Sequence, residues 1–272
     1  MKTIQRFTAC LTLLLVVACS NLPGETPTLI NTASPTSLPT QATLPEPTPT
    51  STAALPLYQR VTLTSTTENE SGKAPDYTFK TQIPVLQGSD PRVDKFNSGI
   101  NELVKGAVDQ FHTELAQQPA TPIAGGSFFD LRYELLSPPG NIISLQIKIE
   151  GMSDGAAHPY HVTLAFNYDL EKGQEITFNQ LFLHGVNALQ TVAAYCKTEL
   201  AKREIGFEGF AAGAEPTVEN YAIWNLSAKG LVIVFNEYQV APYVAGPQSV
   251  TIPFETMDKI IDPAGPLASL RP

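Results

Sequence analysis

The chain has 272 residues, with 26 acidic and 17 basic side chains and a net charge of −9. No run of Lys or Arg occurs in it, so nucleic-acid binding lacks the basic surface that neutralises phosphates. The composition changes along the chain: the first 56 residues carry few charges, whereas residues 57–272 show the periodic apolar patterns of a folded protein.

The N-terminal residues predict export and anchoring. Lys2 and Arg6 precede an apolar run over residues 11–17, the arrangement of a secretory signal peptide, here residues 1–18. The sequence VVAC at positions 16–19 resembles the lipobox of bacterial lipoproteins. That resemblance implies acylation of Cys19 by palmitate or a similar chain, and a location on the extracytoplasmic face of the cell membrane. The alternative is an ordinary secretory signal in which Cys19 is incidental.

Residues 19–56 form a predicted tether. Eight prolines and nine threonines occur between positions 20 and 56, without any aromatic residue. Such a composition cannot bury enough apolar surface to offset the entropy of ordering, so we expect a disordered, polyproline-like segment. At about 3 Å per residue it could hold a folded domain up to roughly 100 Å from the membrane.

Residues 57–138 predict a first α+β subdomain. Residues 77–83 alternate apolar and polar side chains like a strand, and the polar residues 68–75 before them predict a hairpin loop. Asp90 and Pro91 are typical of a helix start. Apolar residues then recur at spacings of three and four, which predicts an amphipathic helix of about 25 residues packed on a sheet.

Residues 139–272 predict a second α+β domain. Residues 143–150 alternate most clearly, which predicts a strand with one buried and one exposed face. A second amphipathic helix is expected over residues 186–204, ending at Gly206 in a left-handed cap. Further strands are expected at residues 162–168, 221–226, 231–238 and 250–254, and a short helix at 254–261. The fold class is therefore α+β, with mainly antiparallel strands, two long amphipathic helices packed on the sheets, and two similar-sized subdomains.

Cysteine usage and motifs do not favour the common enzyme classes. Cys10 would leave with the signal and Cys19 would carry lipid, so Cys196 remains as a single thiol on the apolar side of the second helix. The chain contains no P-loop, GxGxxG, GxSxG, HExxH or SxxK sequence and no Cys/His zinc spacing. We therefore predict no enzymatic activity, no cofactor and no metal, in a monomeric chain.

Several stretches together resemble a bacterial extracytoplasmic domain family. They are AHP (157–159), FNYDL (166–170), GQEI (173–176), QLF (180–182), GLVI (230–233), FNEYQVAPY (235–243), Gly246 and VTIPF (250–254). They are similar to the C-terminal domain of RsiV-type anti-sigma factors and PdaC-type peptidoglycan deacetylases, itself a domain of unknown function. Upstream, Ile83, Pro84, Gly88, Ile100 and Asn101 resemble the smaller companion domain of those proteins.

The resemblance implies a secreted module that binds envelope material such as peptidoglycan, or a lysozyme-like protein. RsiV-type proteins carry a cytoplasmic segment and a transmembrane helix, whereas a lipid anchor is expected here. The deacetylases carry a separate catalytic domain, for which we expect no room beyond Ile261. Neither the signalling output nor the deacetylase activity is therefore expected to transfer.

The candidate ligand-binding residues are imidazole and aromatic side chains from two loops: His158, Tyr160, His161, Tyr238 and Tyr243. Aromatic rings among Pro and Gly can form a platform for a sugar or a peptide, and they can equally pack an irregular crossover. Two histidines near Asp154 and Glu237 could instead bind zinc or transfer protons. Their spacing of three across a proline need not point both rings the same way, and a purely structural role is a third alternative.

Together these observations predict a membrane-anchored extracytoplasmic module that binds or senses cell-wall glycan or a lysozyme-like protein. The alternative function is a metal-dependent glycan hydrolase or deacetylase that uses His158 and His161. A third hypothesis is an envelope protein that contacts neighbouring membrane proteins and has no soluble ligand.

Overall fold

A computed structural model describes residues 55–203 and 205–271, so the predicted signal, Cys19 and most of the tether lie outside the described residues. A six-stranded sheet is formed, in spatial order, by β1 (Thr62–Lys73), β2 (Asp76–Gln87), β3 (Ser127–Leu135), β4 (Ile142–Met152), β5 (Tyr160–Asp169) and β6 (Gln174–Glu175). Its neighbours are antiparallel except β2 and β3, which are parallel. Because β3 pairs with β4, strands from both sides of the predicted boundary at residues 138 and 139 share this sheet.

The first hairpin is longer than the sequence predicted. Residues 68–75 were expected to form a loop, but β1 continues to Lys73 and only Ala74 and Pro75 lie between the strands. β1 is the edge strand, and most of its side chains are exposed to solvent. An edge strand exposed on both faces needs no apolar residues to form, so the polar composition that suggested a loop was misleading.

The first predicted helix is confirmed as α1 (Pro91–Leu115), 25 residues long. Asp90 caps it by accepting a hydrogen bond from the backbone N–H of Arg92 at 3.1 Å. Its carboxylate also pairs with the Arg92 guanidinium at 2.7 Å, and this hydrogen bonding holds the pKa of Asp90 well below its usual range. Within residues 55–203 and 205–271, no helix is long and apolar enough to cross a membrane.

Helix α1 crosses the six-stranded sheet diagonally. Near its N-terminus, Phe96 packs edge-on against Phe166 of β5, with ring centroids 5.4 Å apart. Near its C-terminus, Phe111 packs instead against Phe79 of β2 and Phe129 of β3, at 5.6 and 5.3 Å. The second half of the helix therefore leaves β5 and leans toward the other side of the sheet.

A second core lies against a three-stranded antiparallel sheet. Its strands are β7 (Trp224–Ser227), β8 (Gly230–Phe235) and β9 (Gln248–Pro253), and its helices are α2 (Ala188–Ala201), α3 (Phe210–Gly213) and α4 (Phe254–Met257). Cys196 of α2 is fully buried in this core, and burial raises the pKa of its thiol to about 12. The two long helices, the mainly antiparallel strands and the two separate hydrophobic clusters confirm the predicted α+β class.

The second long helix is shorter than predicted. It begins after Asn187, whose side chain accepts from the backbone N–H of Gln190, and it ends at Ala201 rather than near Gly206. Leu200 is its last buried side chain, and residues 201–203 are exposed, so no apolar contact holds another turn. Gly206 does not adopt the left-handed conformation of the predicted cap.

Strand β4 departs from its predicted half-burial. Leu145 and Ile147 face α1 and are fully buried, as expected, but Ser144 is also fully buried on the opposite face. There the Ser144 hydroxyl donates to Asn167 Oδ1 at 2.6 Å and accepts from the side-chain amide of Asn225 at 3.1 Å. We call Ser144, Asn167 and Asn225 the Ser144 network. This network joins β4 and β5 to β7. The polar face of β4 is therefore partly buried between the two sheets and not fully exposed to solvent.

Candidate functional site

Three of the predicted ligand-binding residues bring their rings together at the surface. The ring of Tyr243 stacks on His158 with centroids 4.0 Å apart and on Tyr238 with centroids 5.9 Å apart. The Tyr238 hydroxyl lies 3.4 Å from Nε2 of His158, and 56% of the Tyr238 surface is exposed. We call His158, Tyr238 and Tyr243 the ring platform.

Local backbone geometry holds the ring platform in place. Both the Tyr243 hydroxyl and Nδ1 of His158 contact the carbonyl oxygen of Pro159, at 2.8 and 2.7 Å, so one backbone group positions both rings. Tyr238 has a φ of 62°, the one non-glycine residue with positive φ in the described part of the chain. A bulky residue in this conformation is strained, so surrounding contacts must stabilise it. Such strained residues are common at functional sites.

His161 lies beside the platform and is held by two carboxylates. Its Nδ1 is 2.5 Å from Oε1 of Glu237, whose side chain is only 8% exposed, and its backbone N–H donates to the other oxygen of the same carboxylate at 3.3 Å. On its other side, Nε2 lies 3.6 Å from Oε1 of Glu150. The ring of Tyr243 is also near, with centroids 6.1 Å apart. The structure thus orients this imidazole firmly.

A polar cavity of about 490 Å³ opens between the two sheets next to His161. Its charged side chains come from β3 and β4: Arg132 pairs with Glu150 at 3.2 Å, and Lys148 pairs with Glu134 at 3.1 Å. The cavity is lined by Arg132, Gln146, Lys148, Ile149, Glu150, His161, Val162, Thr163, Val234, Pro247, Gln248 and Ser249. We call it the polar cleft. It contains both hydrogen-bond donors and acceptors, and His161 lies between it and the ring platform.

A second cavity of about 580 Å³ lies on the opposite face of β4 and β5, beneath α1. It is lined by Leu103, Ala107, Gln110, Glu114, Ile149, Ser153, Ala156, His158, Tyr160, Val162 and Leu164. We call it the apolar cleft. Alternate residues of β5 point to opposite faces, so His161 faces the polar cleft while Tyr160 lines the apolar one.

The structure therefore brings four of the five predicted residues together, whereas the fifth, Tyr160, shares only the lining of the apolar cleft with His158. Tyr160 packs over its cross-strand partner Gly151, where a Cβ would collide with the tyrosine hydroxyl. Burial, together with the negative charge of Glu114, raises the pKa of the Tyr160 hydroxyl. Tyr160 thus belongs to the apolar cleft, and the period of two along a strand explains its separation from His161.

Asp154, a candidate partner of the histidines, has a different local role. Its carboxylate accepts hydrogen bonds from the backbone N–H groups of Ile123, Ala124 and Gly126, at 2.6, 2.8 and 3.2 Å. These bonds lower the pKa of Asp154. The side chain therefore fastens one loop to another.

Sequence reasoning missed the charged wall of the polar cleft. Lys148 and Glu150 were interpreted as the solvent side of a half-buried strand, although charges that alternate along one face could have suggested a lining. Val244, beside Tyr243, is 90% exposed. Within residues 55–203 and 205–271, no three His, Cys, Asp or Glu side chains are grouped so that they could hold a metal.

Residues 179–255 match DUF3298, a protein family of unknown function. Two crystal structures of DUF3298 proteins have similar folds. One, from Bacteroides fragilis, has a TM-score of 0.59 at 16% identity over 77% of this chain and 96% of that one. The other, from Pseudomonas aeruginosa, has a TM-score of 0.54 at 13% identity over 80% of this chain and 99% of that one. At these identities the likeness concerns the fold alone.

Curated relatives match part of the chain. Immunogenic protein MPT64 of Mycobacterium tuberculosis is 25% identical over 129 residues, 47% of this chain and 56% of that protein. A protein named as an esterase from the same organism is 33% identical over 103 residues, 36% of this chain and 44% of that protein. This chain thus spans about half the length of the curated relatives it matches. The DUF3298 match includes Glu237, Tyr238 and Tyr243, whereas His158 and His161 precede it.

Proposed function

We propose that this protein is an extracytoplasmic binding module, anchored to the cell membrane by a lipid on Cys19, whose ring platform and polar cleft bind cell-wall glycan. The anchor and location rest on the lipobox-like sequence at residues 16–19. The resemblance to RsiV-type and PdaC-type proteins supports a partner in the envelope. The observation that carries the proposal is the exposed ring stack with Tyr238 held at positive φ.

The ring platform suits a ligand with a flat apolar face. Aromatic rings carry negative faces that attract the positively polarised C–H groups of a sugar ring, and tyrosine rings lose little entropy on binding. Tyr238 is more than half exposed although its backbone is strained, so its position is maintained without the benefit of full burial. A binding surface accounts for this arrangement more simply than core packing does.

The polar cleft suits the hydroxyl and amide groups of the same ligand. The Glu150 carboxylate can accept hydrogen bonds, whereas Arg132 and Lys148 can donate them. Opposite charges are already paired in this cleft, so a strongly anionic ligand would have to displace those pairs. A neutral, hydroxyl-rich chain could instead bond to the paired groups without breaking them.

The test is calorimetric titration of the purified chain with soluble peptidoglycan fragments and, separately, with lysozyme. Tyr243→Ala should weaken glycan binding at least tenfold, because it removes the central ring of the stack. Tyr58→Ala, an exposed tyrosine outside the platform, serves as the matched control. Saturable lysozyme binding without glycan binding would replace the glycan with a protein partner, and binding of neither would refute the proposal.

A second candidate function, hydrolysis, rests on His161. The 2.5 Å contact between Nδ1 of His161 and Glu237 resembles the pairing that orients a catalytic base, and one curated relative is named as an esterase. It predicts turnover of p-nitrophenyl acetate or acetylated glycan that His161→Ala abolishes. The metal-dependent form further predicts a stoichiometric metal whose loss follows His158→Ala. A purified protein that turns over neither substrate would remove this candidate.

A further inference from the structure

The apolar cleft owes its existence to the diagonal path of α1. The helix backbone touches β5 at Gly99, where an added Cβ would lie 2.9 Å from the Phe166 ring, so no side chain separates them there. About three turns later, Phe111 contacts β2 and β3 instead. Between these two anchoring points the helix and β5 diverge, and the sheet surface around Val162 stays uncovered.

The floor of the cleft is apolar and open to solvent. Ile149 is buried at its base, while Leu103 and Ala107 from α1 and Val162 and Leu164 from β5 are only partly buried. Covering such surface is favourable because it removes apolar area from water. The partly buried aliphatic side chains of α1 and β5 thus form one apolar surface, and a ligand that covered it would be stabilised.

The mouth of the cleft carries one fixed negative charge. Glu114 accepts hydrogen bonds from Ser153 Oγ at 2.7 Å and from the Gln110 amide at 2.8 Å, which hold its carboxylate toward the opening. His158 and Tyr160 complete the rim, and the lining includes no Lys or Arg. This charge favours a cationic or hydrogen-bond-donating group and disfavours an anion.

The size of the cleft favours a small ligand over a protein. Its volume of about 580 Å³ falls within the range of about 300–1,000 Å³ that is typical of small-molecule sites. Eleven residues line it, whereas a stable protein interface uses about 20–30 residues on each side. We propose that the apolar cleft binds a single-chain amphiphile, with its tail on Leu103, Ala107 and Val162 and a neutral or cationic head beside Glu114.

The experiment uses three decyl amphiphiles that differ in their head: trimethylammonium, glucoside and sulfate. Each is titrated below its micelle concentration by calorimetry into the full chain carrying Cys19→Ser, which cannot be acylated there. The first two should bind saturably with one site per chain, and the sulfate at least tenfold more weakly. Glu114→Gln should reduce the preference for trimethylammonium over sulfate several-fold while leaving glucoside binding in place.

Two variants locate the site. Ala107→Phe fills the cleft and should abolish binding, while Thr113→Phe, an equal ring on an exposed position of α1, should not. If Ala107→Phe fails to fold, Gln110→Trp replaces it. Gln110 is exposed at the mouth of the cleft, so a tryptophan there should block entry of the ligand without disturbing the core. The proposal is overturned if no amphiphile binds saturably, if a folded cleft-filling variant binds like the wild type, or if decyl sulfate binds as tightly as the others.

Discussion

The two faces of the six-stranded sheet are stabilised by different interactions. On the α1 side, Leu145 and Ile147 of β4 pack into an apolar core together with aromatic rings. On the side of the three-stranded sheet, the same strand contributes Ser144 to a buried hydrogen-bond network. One face therefore depends on shape and contact area, the other on the pairing of polar atoms, although both are built from alternate residues of one strand.

The largest effect should come from the apolar face. Leu145→Ala removes a fully buried side chain and should lower the free energy of unfolding by about 2–5 kcal/mol, measured by urea denaturation. Its cross-strand partner Leu135, 44% exposed, gives the matched control, because Leu135→Ala should change stability by only about 0.5 kcal/mol. Equal losses for the two variants would show that this face is not the core described.

On the polar face, Ser144→Ala should lower the free energy of unfolding by about 1–3 kcal/mol. The reason is that the Asn167 side-chain oxygen and the backbone N–H of Leu226 lose a buried partner, and the Asn225 amide loses one of its two acceptors. Ser71→Ala, on the exposed edge strand, controls for the intrinsic effect of the substitution. If Ser144→Ala unfolds at the wild-type urea concentration, the network contributes nothing to stability.

Acid should distinguish the faces, because α1 is capped by a titrating group and the Ser144 network contains none. The pKa of Asp90 is depressed in the folded state, whereas an unfolded aspartate titrates near about 3.9. The stability it contributes is therefore complete above about pH 5 and is lost as the pH falls through the folded value. Asp90→Asn keeps an N-cap without this titration.

The measurement is the difference in melting temperature between wild type and Asp90→Asn, followed from pH 7 down to pH 2. Wild type should be the more stable at neutral pH, and the difference should shrink as the acid titrates Asp90. A difference that stays constant over this range would contradict the assignment of the cap.

The smallest effect should come from the ring platform. Tyr238→Gly removes the strain of a positive φ, which costs about 1–3 kcal/mol. Glycine also increases the conformational entropy of the unfolded chain, which lowers stability. The free energy of unfolding should therefore change by no more than about 1 kcal/mol. Tyr238→Ala retains the strain and should be the less stable of the two variants in the same melting experiment. Both should lose glycan affinity. A large destabilisation by the glycine variant would instead assign Tyr238 to packing.

Periodicity predicted what depends on regular structure. The length of α1, its start at Asp90, and the strands around Ile147 and Phe166 followed from spacing and capping alone. Exposed polar strands and helix ends were less predictable: β1 needs no apolar face, and α2 ends where burial ends. A short stretch of sequence indicates the local conformation of its own residues. Whether β1 forms and where α2 ends depend instead on which residues are buried by distant parts of the chain.

The candidate site followed the same division. The rings of His158 and Tyr243 could be proposed because aromatic residues among Pro and Gly are a local signal. The nearness of Glu237 to the histidines was expected from the sequence, but its direct contact with His161 joins residues 76 apart and depends on how the two sheets pack. The apolar cleft depends on the direction of a helix axis, which no single stretch of sequence encodes.

The buried thiol of Cys196 allows local opening of the second core to be measured as a rate of chemical labelling. Because its pKa is raised to about 12, only a minute fraction is thiolate at neutral pH, and its complete burial keeps alkylating reagents away. Its labelling rate should therefore report how often α2 lifts from the three-stranded sheet. The labelling rate of Cys196 therefore measures local opening of the second core. Comparing this rate with and without a bound ligand would show whether the ligand slows the opening of α2.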